Sequence, residues 1–198
     1  MEEVSVRPAT AADLETILRY RQAMFQDMGH RDGKRLADMR GSSEPYLRRA
    51  LADGTYRGWL AVTGEGRVAA GGGIAIVPWP GSPDDPAAWR GWIQNVYTEP
   101  EFRYRGLARR IMEAIVDWCR GEGFYAVSLH ASIFGRPLYE SMGFQATRDA
   151  FGFHAATTRQ RSKAQAGRPT TRRRVPLRVG WTLRGRTGWP RGRTAPTQ

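Results

Sequence analysis

The stretch from Trp92 to Gly121 constrains the fold of this chain more than any other. Trp92 to Tyr97 contains the aromatic and β-branched residues typical of strands, and a basic turn containing Gly106 follows it. Beyond the turn, apolar residues recur along one helical face, at Leu107, Ile111, Ala114, Ile115 and Trp118. A strand that leads into an amphipathic helix begins the crossover that joins parallel strands. The segment therefore predicts an α/β fold.

The residue pattern on both sides of this segment predicts the other elements. Strands are expected at 4–7, 59–62, 68–77, 92–97, 126–131 and from 144, where apolar residues alternate or cluster between turn signals. Helices are expected over 11–28, around 46–51, over 106–121 and from 135, with a polar loop over 29–43. The order β-α-α-β-β-β-α-β-α-β indicates a mixed central sheet flanked by helices, with an antiparallel half and one parallel crossover.

Three consecutive glycines, Gly71 to Gly73, interrupt the third predicted strand. Glycine weakens a strand interior, so such a run marks either a bulge or kink of the strand, or the close approach of a ligand. The sequence leaves both explanations open.

The excess positive charge of the chain is confined to its C-terminal end. Lysine and arginine number 31 against 19 acids, a formal net charge of +12. All 19 acids lie in residues 1–155 beside 19 basic residues, whereas the last 43 residues contain 12 basic residues and no acid. With few apolar residues, that segment cannot bury enough surface to become ordered. The sequence thus predicts a folded domain at 1–155 and a disordered basic C-terminal tail, rich in arginine, at 156–198.

Three explanations of this tail stay open. It is a basic extension that binds nucleic acid or ribosomes through counterion release, or an appendage without function, or the product of a frameshift in GC-rich DNA. The last explanation is suggested by composition, because 29 of the 31 basic residues are arginine.

Several classes of protein are excluded by the composition. The one cysteine, Cys119, rules out a disulfide framework and a cysteine-rich zinc site, and its position near the apolar helix face predicts inert packing. No apolar run reaches the ~18 residues of a membrane span, and the chain starts with acids, unlike a secretion signal. We therefore expect a soluble, cytoplasmic protein without a metal site.

The turn before the long helix has the features of an anion-binding site. The first turn of a helix leaves backbone N–H groups unpaired, and the helix dipole adds positive charge there. Gly106 permits close approach to the backbone, and four arginines surround it, Arg103, Arg105, Arg109 and Arg110. The turn predicts a site for a phosphate-bearing ligand, with a helix start carrying solvated arginines as the alternative. Neither a P-loop nor a dinucleotide-binding glycine motif is present in the sequence.

Two motifs narrow the identity of this ligand. Arg103-x-x-Gly106-x-Ala108 fits the pattern Gln/Arg-x-x-Gly-x-Gly/Ala at a junction between a strand and a helix. About thirty residues later, Leu138 to Phe144 fits the pattern Leu-Tyr-Glu-x-x-Gly-Phe. Both patterns, in this order, are those of the Gcn5-related N-acetyltransferase (GNAT) superfamily, which the sequence resembles.

The resemblance covers roughly residues 4–147 and implies a GNAT-like fold, a co-substrate and a reaction. It implies that an acetyl group passes from acetyl-CoA to a primary amine by direct attack of the amine on the thioester. The strand before the turn would pair with the pantetheine arm and polarise the thioester, and the turn would hold the pyrophosphate. The cofactor-binding residues implied in this way are Asn95, Val96, Tyr97, Thr98, Arg103, Tyr104, Arg105, Gly106, Leu107, Ala108, Arg109 and Ser132. Ser132 stands where the family often has asparagine.

Tyr139 lies where the family has its general acid. A phenol, with a reference pKa of ~10, can protonate a departing thiolate. The residues do not identify a general base, for which Asp27, His30, His130 and a chain of water molecules are the candidates.

The acceptor and two rival functions stay open. A small metabolite, an antibiotic, or an amine of a peptide or protein would suit the chemistry, and a homodimer is compatible with the sequence. The chain could instead be a nucleic-acid- or ribosome-associated protein that acts through its tail, or a sensor that binds acyl-CoA without turnover.

Overall fold

A computed structural model of the chain describes residues 3–81, 83, 86–124, 126–147 and 180–184. The strands are β1 (Val4–Pro8), β2 (Tyr56–Thr63), β3 (Val68–Pro78), β4 (Trp89–Thr98), β5 (Ala126–His130), β6 (Gln145–Thr147) and β7 (Gly180–Arg184). The helices are α1 (Leu14–Asp27), α2 (Gly33–Asp53), α3 (Leu107–Gly121) and α4 (Arg136–Ser141). Short 3-10 turns at Ala11–Asp13 and Pro100–Phe102 precede α1 and α3.

These strands form one mixed sheet in the order β1-β2-β3-β4-β5-β7-β6. The pairs β1-β2, β2-β3 and β3-β4 are antiparallel, whereas β4 and β5 run parallel, with α3 as the crossover between them. β7 lies between β5 and β6 and is antiparallel to both. The predicted α/β class, with an antiparallel half and one parallel crossover, is confirmed.

Helices cover both faces of the sheet. α1 and α2 pack on one face, where Leu18 and Tyr56 are buried together, and α3 packs on the other face around Ile111. Ile74 and its neighbour Ala75 belong to these two different clusters, because successive side chains of a strand point to opposite faces. The buried residues of α3 are Leu107, Ile111, Met112, Ile115, Val116 and Cys119. Among the residues with described positions, no helix combines the length and the apolar character needed to cross a bilayer.

Helix α2 begins at Gly33, thirteen residues before the start expected from the sequence, so the predicted loop over 29–43 is wrong for most of its length. The Asp32 carboxylate accepts a hydrogen bond from the Arg35 backbone N–H at 3.1 Å and caps the helix. Lys34, in the same first turn, forms an ion pair with Asp38 at spacing i, i+4. Capping and surface charge pairs stabilise this first half, which has too few apolar residues to show a helical period.

Five residues of the predicted tail belong to the sheet. Gly180–Arg184 forms β7, so the prediction of a disordered tail is corrected for this segment, while 148–179 and 185–198 lie outside the described residues together with the predicted boundary at 155. In the sequence, Trp181 and Leu183 alternate with polar residues, the pattern of a strand. The backbone of β5 provides the pairing edge that this short segment needs to become ordered.

The glycine run in β3 is explained by a bulge and by close packing within the protein. The register between β3 and β4 shifts between Gly71 and Gly73, so that Asn95 and Val96 lie opposite Gly72. A Cβ atom on Gly72 would lie 2.9 Å from Ile111 Cγ2, and a Cβ atom on Gly73 would overlap the Tyr56 hydroxyl. Protein side chains therefore occupy the space that a ligand could otherwise have used.

We expect Gly73→Ala to destabilise the fold. The new methyl group would overlap the Tyr56 hydroxyl and lie 2.6 Å from the Arg57 carbonyl oxygen, which is backbone and cannot rotate away. Overpacking of this kind costs about 1–3 kcal/mol. Urea unfolding measures the change.

Gly41→Ala is the matched control, because no atom lies within 4 Å of its added Cβ on α2. Alanine is favoured over glycine inside a helix by about 0.5–1 kcal/mol, so this variant should be more stable. Equal effects of the two substitutions would contradict the packing explanation.

Candidate active site

The parallel strands β4 and β5 separate at the middle of the sheet. Their pairing runs only from Gly91 to Ile93, opposite Val127 to Leu129. β4 continues to Thr98, paired with β3 on its other side. Among the described residues, the β5-facing edge of β4 beyond Gln94 has no strand partner. Such an open edge can pair with an extended ligand through its backbone N–H and C=O groups.

The separation starts at the β4 bulge, where Asn95 has a backbone φ of +60°. Asparagine is one of the few residues besides glycine that tolerate this conformation. The buried Asn95 side chain donates from Nδ2 to the Tyr56 hydroxyl at 3.1 Å and accepts at Oδ1 from Arg21 Nη1 at 2.8 Å. Arg21 Nε also donates to Ser43 Oγ at 3.1 Å. We call Arg21, Ser43, Tyr56 and Asn95 the bulge network.

The bulge network ties β4 to three elements, α1, α2 and β2. Burial raises the pKa of Tyr56 to about 12, so its phenol stays neutral and can accept from Asn95. Arg21 and Tyr56 were not among the sequence-predicted site residues. A signal for Arg21 existed, because it is a charged residue at helical spacing from Leu14, Ile17 and Leu18 on the buried stripe of α1.

The turn between β4 and α3 leaves backbone donors unpaired. Gly106, the N-cap, has a φ of +76°, a conformation that favours glycine, and Tyr104 before it has a φ of +61° and is fully exposed. The first bond of the helix runs from Arg110 N to Gly106 O at 3.1 Å, so the N–H groups of residues 107–109 precede it. No atom lies within 4 Å of a Cβ built on Gly106, so open space adjoins these donors. The turn can therefore bind an anion.

Most of the arginines around this turn bind the protein itself. Arg103 donates from Nε to the Thr98 carbonyl at 3.1 Å and from Nη2 to Asp27 at 2.5 Å. Arg109 donates to Ser141 Oγ and Arg110 to the Val4 carbonyl, both at 2.6 Å, while Arg105 lies over the Phe102 ring at 5.3 Å. The backbone N–H groups are thus the main free donors of the turn. Arg103 connects the beginning of the turn to Asp27 at the end of α1.

Tyr139 lies on α4, which follows β5 directly. Its side chain is 8% exposed and its ring packs 6.0 Å from the Phe144 ring, centroid to centroid. Gly135 gives the ring room, since a Cβ there would lie 2.8 Å from Tyr139 Cε2. Burial raises the pKa of Tyr139 to about 12, and its hydroxyl has no hydrogen-bond partner within the described ranges. A neutral phenol, whose hydroxyl donates no hydrogen bond within the described ranges, therefore lies on the β5 side of the split between β4 and β5.

The fold and the sequence are both similar to those of known proteins. The model of the acetyltransferase (GNAT) family matches residues 19–144, more than half of the chain. The chain belongs to the GNAT acetyltransferase family. The predicted resemblance is therefore confirmed, and with it the GNAT-like fold of the central sheet.

Solved structures of GNAT proteins superpose on the chain. A GCN5-related N-acetyltransferase from Ralstonia eutropha JMP134 is 34% identical, with a TM-score of 0.70 over 83% of this chain and 100% of that one. A predicted acetyltransferase from Clostridium acetobutylicum, solved with acetyl-CoA, is 26% identical, with a TM-score of 0.68 over 74% of this chain and 93% of that one. The PaiA N-acetyltransferase from Thermoplasma acidophilum, solved with coenzyme A, is 11% identical at a TM-score of 0.62 over 92% and 99%, and shows the fold alone. The comparison with curated proteins gave no significant match.

Ser132 and the three candidate bases of this GNAT protein lie in different parts of the fold. Ser132 Oγ accepts from the Gly135 backbone N–H at 3.1 Å in the turn that precedes α4. Asp27 is held by Arg103, His30 lies edge-on to Phe25, and His130 lies edge-on to the Trp92 ring at the end of β5. Of these three candidate bases, His130 is the one that lies at the end of β5, beside the split between β4 and β5.

The described part of this GNAT chain contains neither a reactive cysteine nor a cluster of metal ligands. Cys119 is completely buried on α3 and burial raises the pKa of its thiol to about 12, which confirms the predicted packing role. Among the described residues, no three His, Cys, Asp or Glu side chains cluster as metal ligands would.

We expect Tyr56→Phe to destabilise the protein by about 1–3 kcal/mol, because it leaves the buried Asn95 Nδ2 without an acceptor. Urea unfolding checks this value. Tyr46→Phe removes a phenol that is 40% exposed and should change stability by less than about 0.5 kcal/mol. Similar losses in both variants would show that the bulge network does not stabilise the fold.

Proposed function

We propose that this GNAT protein transfers an acetyl group from acetyl-CoA to a primary amine by direct attack of the amine on the thioester. The observation that carries the proposal is the split between β4 and β5, with the free N–H groups of the α3 turn at β4's end. An extended arm with a phosphate group at one end fits both features. The neighbour from Clostridium acetobutylicum, solved with acetyl-CoA, supports the same co-substrate.

The pantetheine arm would lie along β4 as an additional strand. The backbone of Val96, Tyr97 and Thr98 belongs to the open edge and can pair with the amide groups of the arm. The pyrophosphate would then accept hydrogen bonds from the turn, whose residues are Arg103, Tyr104, Arg105, Gly106, Leu107, Ala108 and Arg109. Ser132, in the turn between β5 and α4, can donate its hydroxyl proton to the arm from the other side of the split.

The bulge would direct backbone N–H groups of Asn95 and Val96 at the thioester carbonyl oxygen. Such groups stabilise the negative charge that forms on the oxygen when the amine attacks. Donors that are already fixed in place need no reorientation during the reaction. The bulge network fixes them, because it forms hydrogen bonds with both polar ends of the Asn95 side chain.

The chemistry requires two proton transfers. A neutral amine nitrogen forms a bond to the acetyl carbon, the C–S bond breaks, and the sulfur keeps the electron pair. Tyr139 would donate its proton to that sulfur, and the amine would lose a proton to water or to a base. Asp27 is already bound to Arg103. The better candidates for the base are therefore His130, at the end of β5, or a water chain at the split.

Experiments on this function need the full chain. β7 is Gly180–Arg184 and pairs with both β5 and β6, so a chain that ended at residue 155 would lack the strand that joins β6 to the sheet.

We expect Gly106→Glu to weaken acetyl-CoA binding by about 100-fold or more, measured by calorimetry. The carboxylate would enter the open space at the turn, and like charges a few Å apart at a protein surface repel by roughly 4 kcal/mol. Gly29→Glu is the matched control, because Gly29 also has a positive φ, +93°, and open space at its Cβ. Normal affinity in the Gly106 variant would refute the pyrophosphate site.

We expect Tyr139→Phe to lower kcat by about 100-fold or more, the usual effect of losing a general acid, while the Kd of acetyl-CoA stays the same. Because the pKa of Tyr139 is raised to about 12, the phenol keeps its proton as pH rises. The rate should therefore increase with pH as the acceptor amine deprotonates, without an alkaline decline below about pH 10. An unchanged kcat would remove Tyr139 from this role, whereas an alkaline decline below about pH 10 that disappears in the variant would contradict only the raised pKa.

A further inference from the structure

Arg21 is a half-buried cation with only neutral partners. Its guanidinium donates to Ser43 Oγ at 3.1 Å, to Asn95 Oδ1 at 2.8 Å and to Gln94 Oε1 at 3.4 Å. No ion pair of the described residues includes it. The hydrogen bonds position the group, and its charge is left without a counter-ion in the described part of the protein.

Neighbouring arginines are paired with acids. Arg19 on the same helix pairs with Glu99, Arg103 pairs with Asp27, and Arg40 on α2 pairs with Glu15. Burial lowers the pKa of Arg21, as expected for a cation removed from water with no carboxylate beside it. Taking a charge out of water is unfavourable unless an opposite charge compensates it. An anion that arrives with a ligand would supply that compensation.

One nitrogen of the guanidinium is free to bind such an anion. Nε and Nη1 make the hydrogen bonds of the bulge network and the contact with Gln94, and Nη2 has no acceptor within the described ranges. The Phe25 ring lies 5.2 Å from the guanidinium carbon and supports the plane of the group. A planar guanidinium held in this way matches a carboxylate better than a flexible ammonium group would.

The position of Arg21 is on the acceptor side of the proposed reaction. It contacts the side chain of Asn95, whose backbone would polarise the thioester. The bulge brings two successive side chains, Gln94 and Asn95, to the α1 face of β4, because both accept from Arg21. Acetyl-CoA would occupy the open edge of β4 and the turn of α3, so the amine would approach the bulge from the side on which Arg21 contacts Gln94 and Asn95.

We propose that the acceptor is an amine that also carries a carboxylate, of the amino-acid class, and that Arg21 Nη2 binds this carboxylate. The inference rests on the proposed acetyl transfer. It makes Arg21 a specificity-determining residue, which would hold the carboxylate while the amine of the same molecule reaches the thioester.

The test compares acceptors in pairs that differ only in this group, namely amino acids and their carboxamides. Thiol release gives kcat/KM for both members of each pair with the full-length wild type and with Arg21→Gln, which keeps a donor near Asn95. We expect the ratio of kcat/KM, acid over amide, to fall by about tenfold or more in Arg21→Gln, the effect of losing one hydrogen bond to a charged group. An amino acid and its carboxamide differ in the pKa of the amine. This difference affects the wild type and the variant equally, so it cancels when their acid-to-amide ratios are compared. Arg31→Gln, at an exposed arginine, should keep the wild-type ratio.

Calorimetry with acetyl-CoA separates the alternatives. Unchanged acetyl-CoA affinity together with a collapsed acid-to-amide ratio in Arg21→Gln supports the proposal. If both acceptors lose rate equally, or acetyl-CoA affinity falls, Arg21 acts only through the bulge, and the carboxylate assignment is overturned. A wild type that binds acetyl-CoA and prefers carboxamides overturns the assignment and leaves the proposed function intact. A wild type that does not bind acetyl-CoA overturns both.

Discussion

The bulge in β4 is the feature on which the rest of this structure depends. It inserts one residue opposite Gly72, and the pairing of β4 with β5 stops two residues earlier, at Ile93. A strand that bulges also bends and twists more strongly, so the parallel neighbour can no longer follow it. The open edge, the direction of its donors and the contact of Asn95 with Arg21 all result from this local change.

The bulge itself depends on packing from both faces of the sheet. On one face, Tyr56 fills the space above Gly73 and accepts from Asn95. On the other, Ile111 of α3 fills the space beside Gly72. The helix that packs there also carries the Gly106 turn at its N-terminus, so one element supports the bulge and presents unpaired backbone N–H groups. The distance between the bulge and the Gly106 turn is thereby set by the packing of Ile111 beside Gly72.

Prediction from sequence worked best where local pattern and chemistry agree. The period of α3 and the Gly106 turn located the helix and its free N–H groups, and the two motifs around Gly106 and Tyr139 together identified the family. It failed over 29–43, because α2 starts with a cap and ion pairs in place of an apolar stripe. Arg21 and Tyr56 were overlooked because their partners lie 74 and 39 residues away along the chain.

The sequence by itself determined the α/β class, the family and the Gly106 turn before α3, because each depends on residues close together in the chain. Only the tertiary structure decided that protein side chains fill the space beside the glycine run, that Arg103 is bound to Asp27, and that β7 comes from Gly180–Arg184. It also placed Arg21 beside the bulge, with no counter-ion among the residues that the structure describes. These facts depend on which distant segments meet, and that is settled by packing in three dimensions.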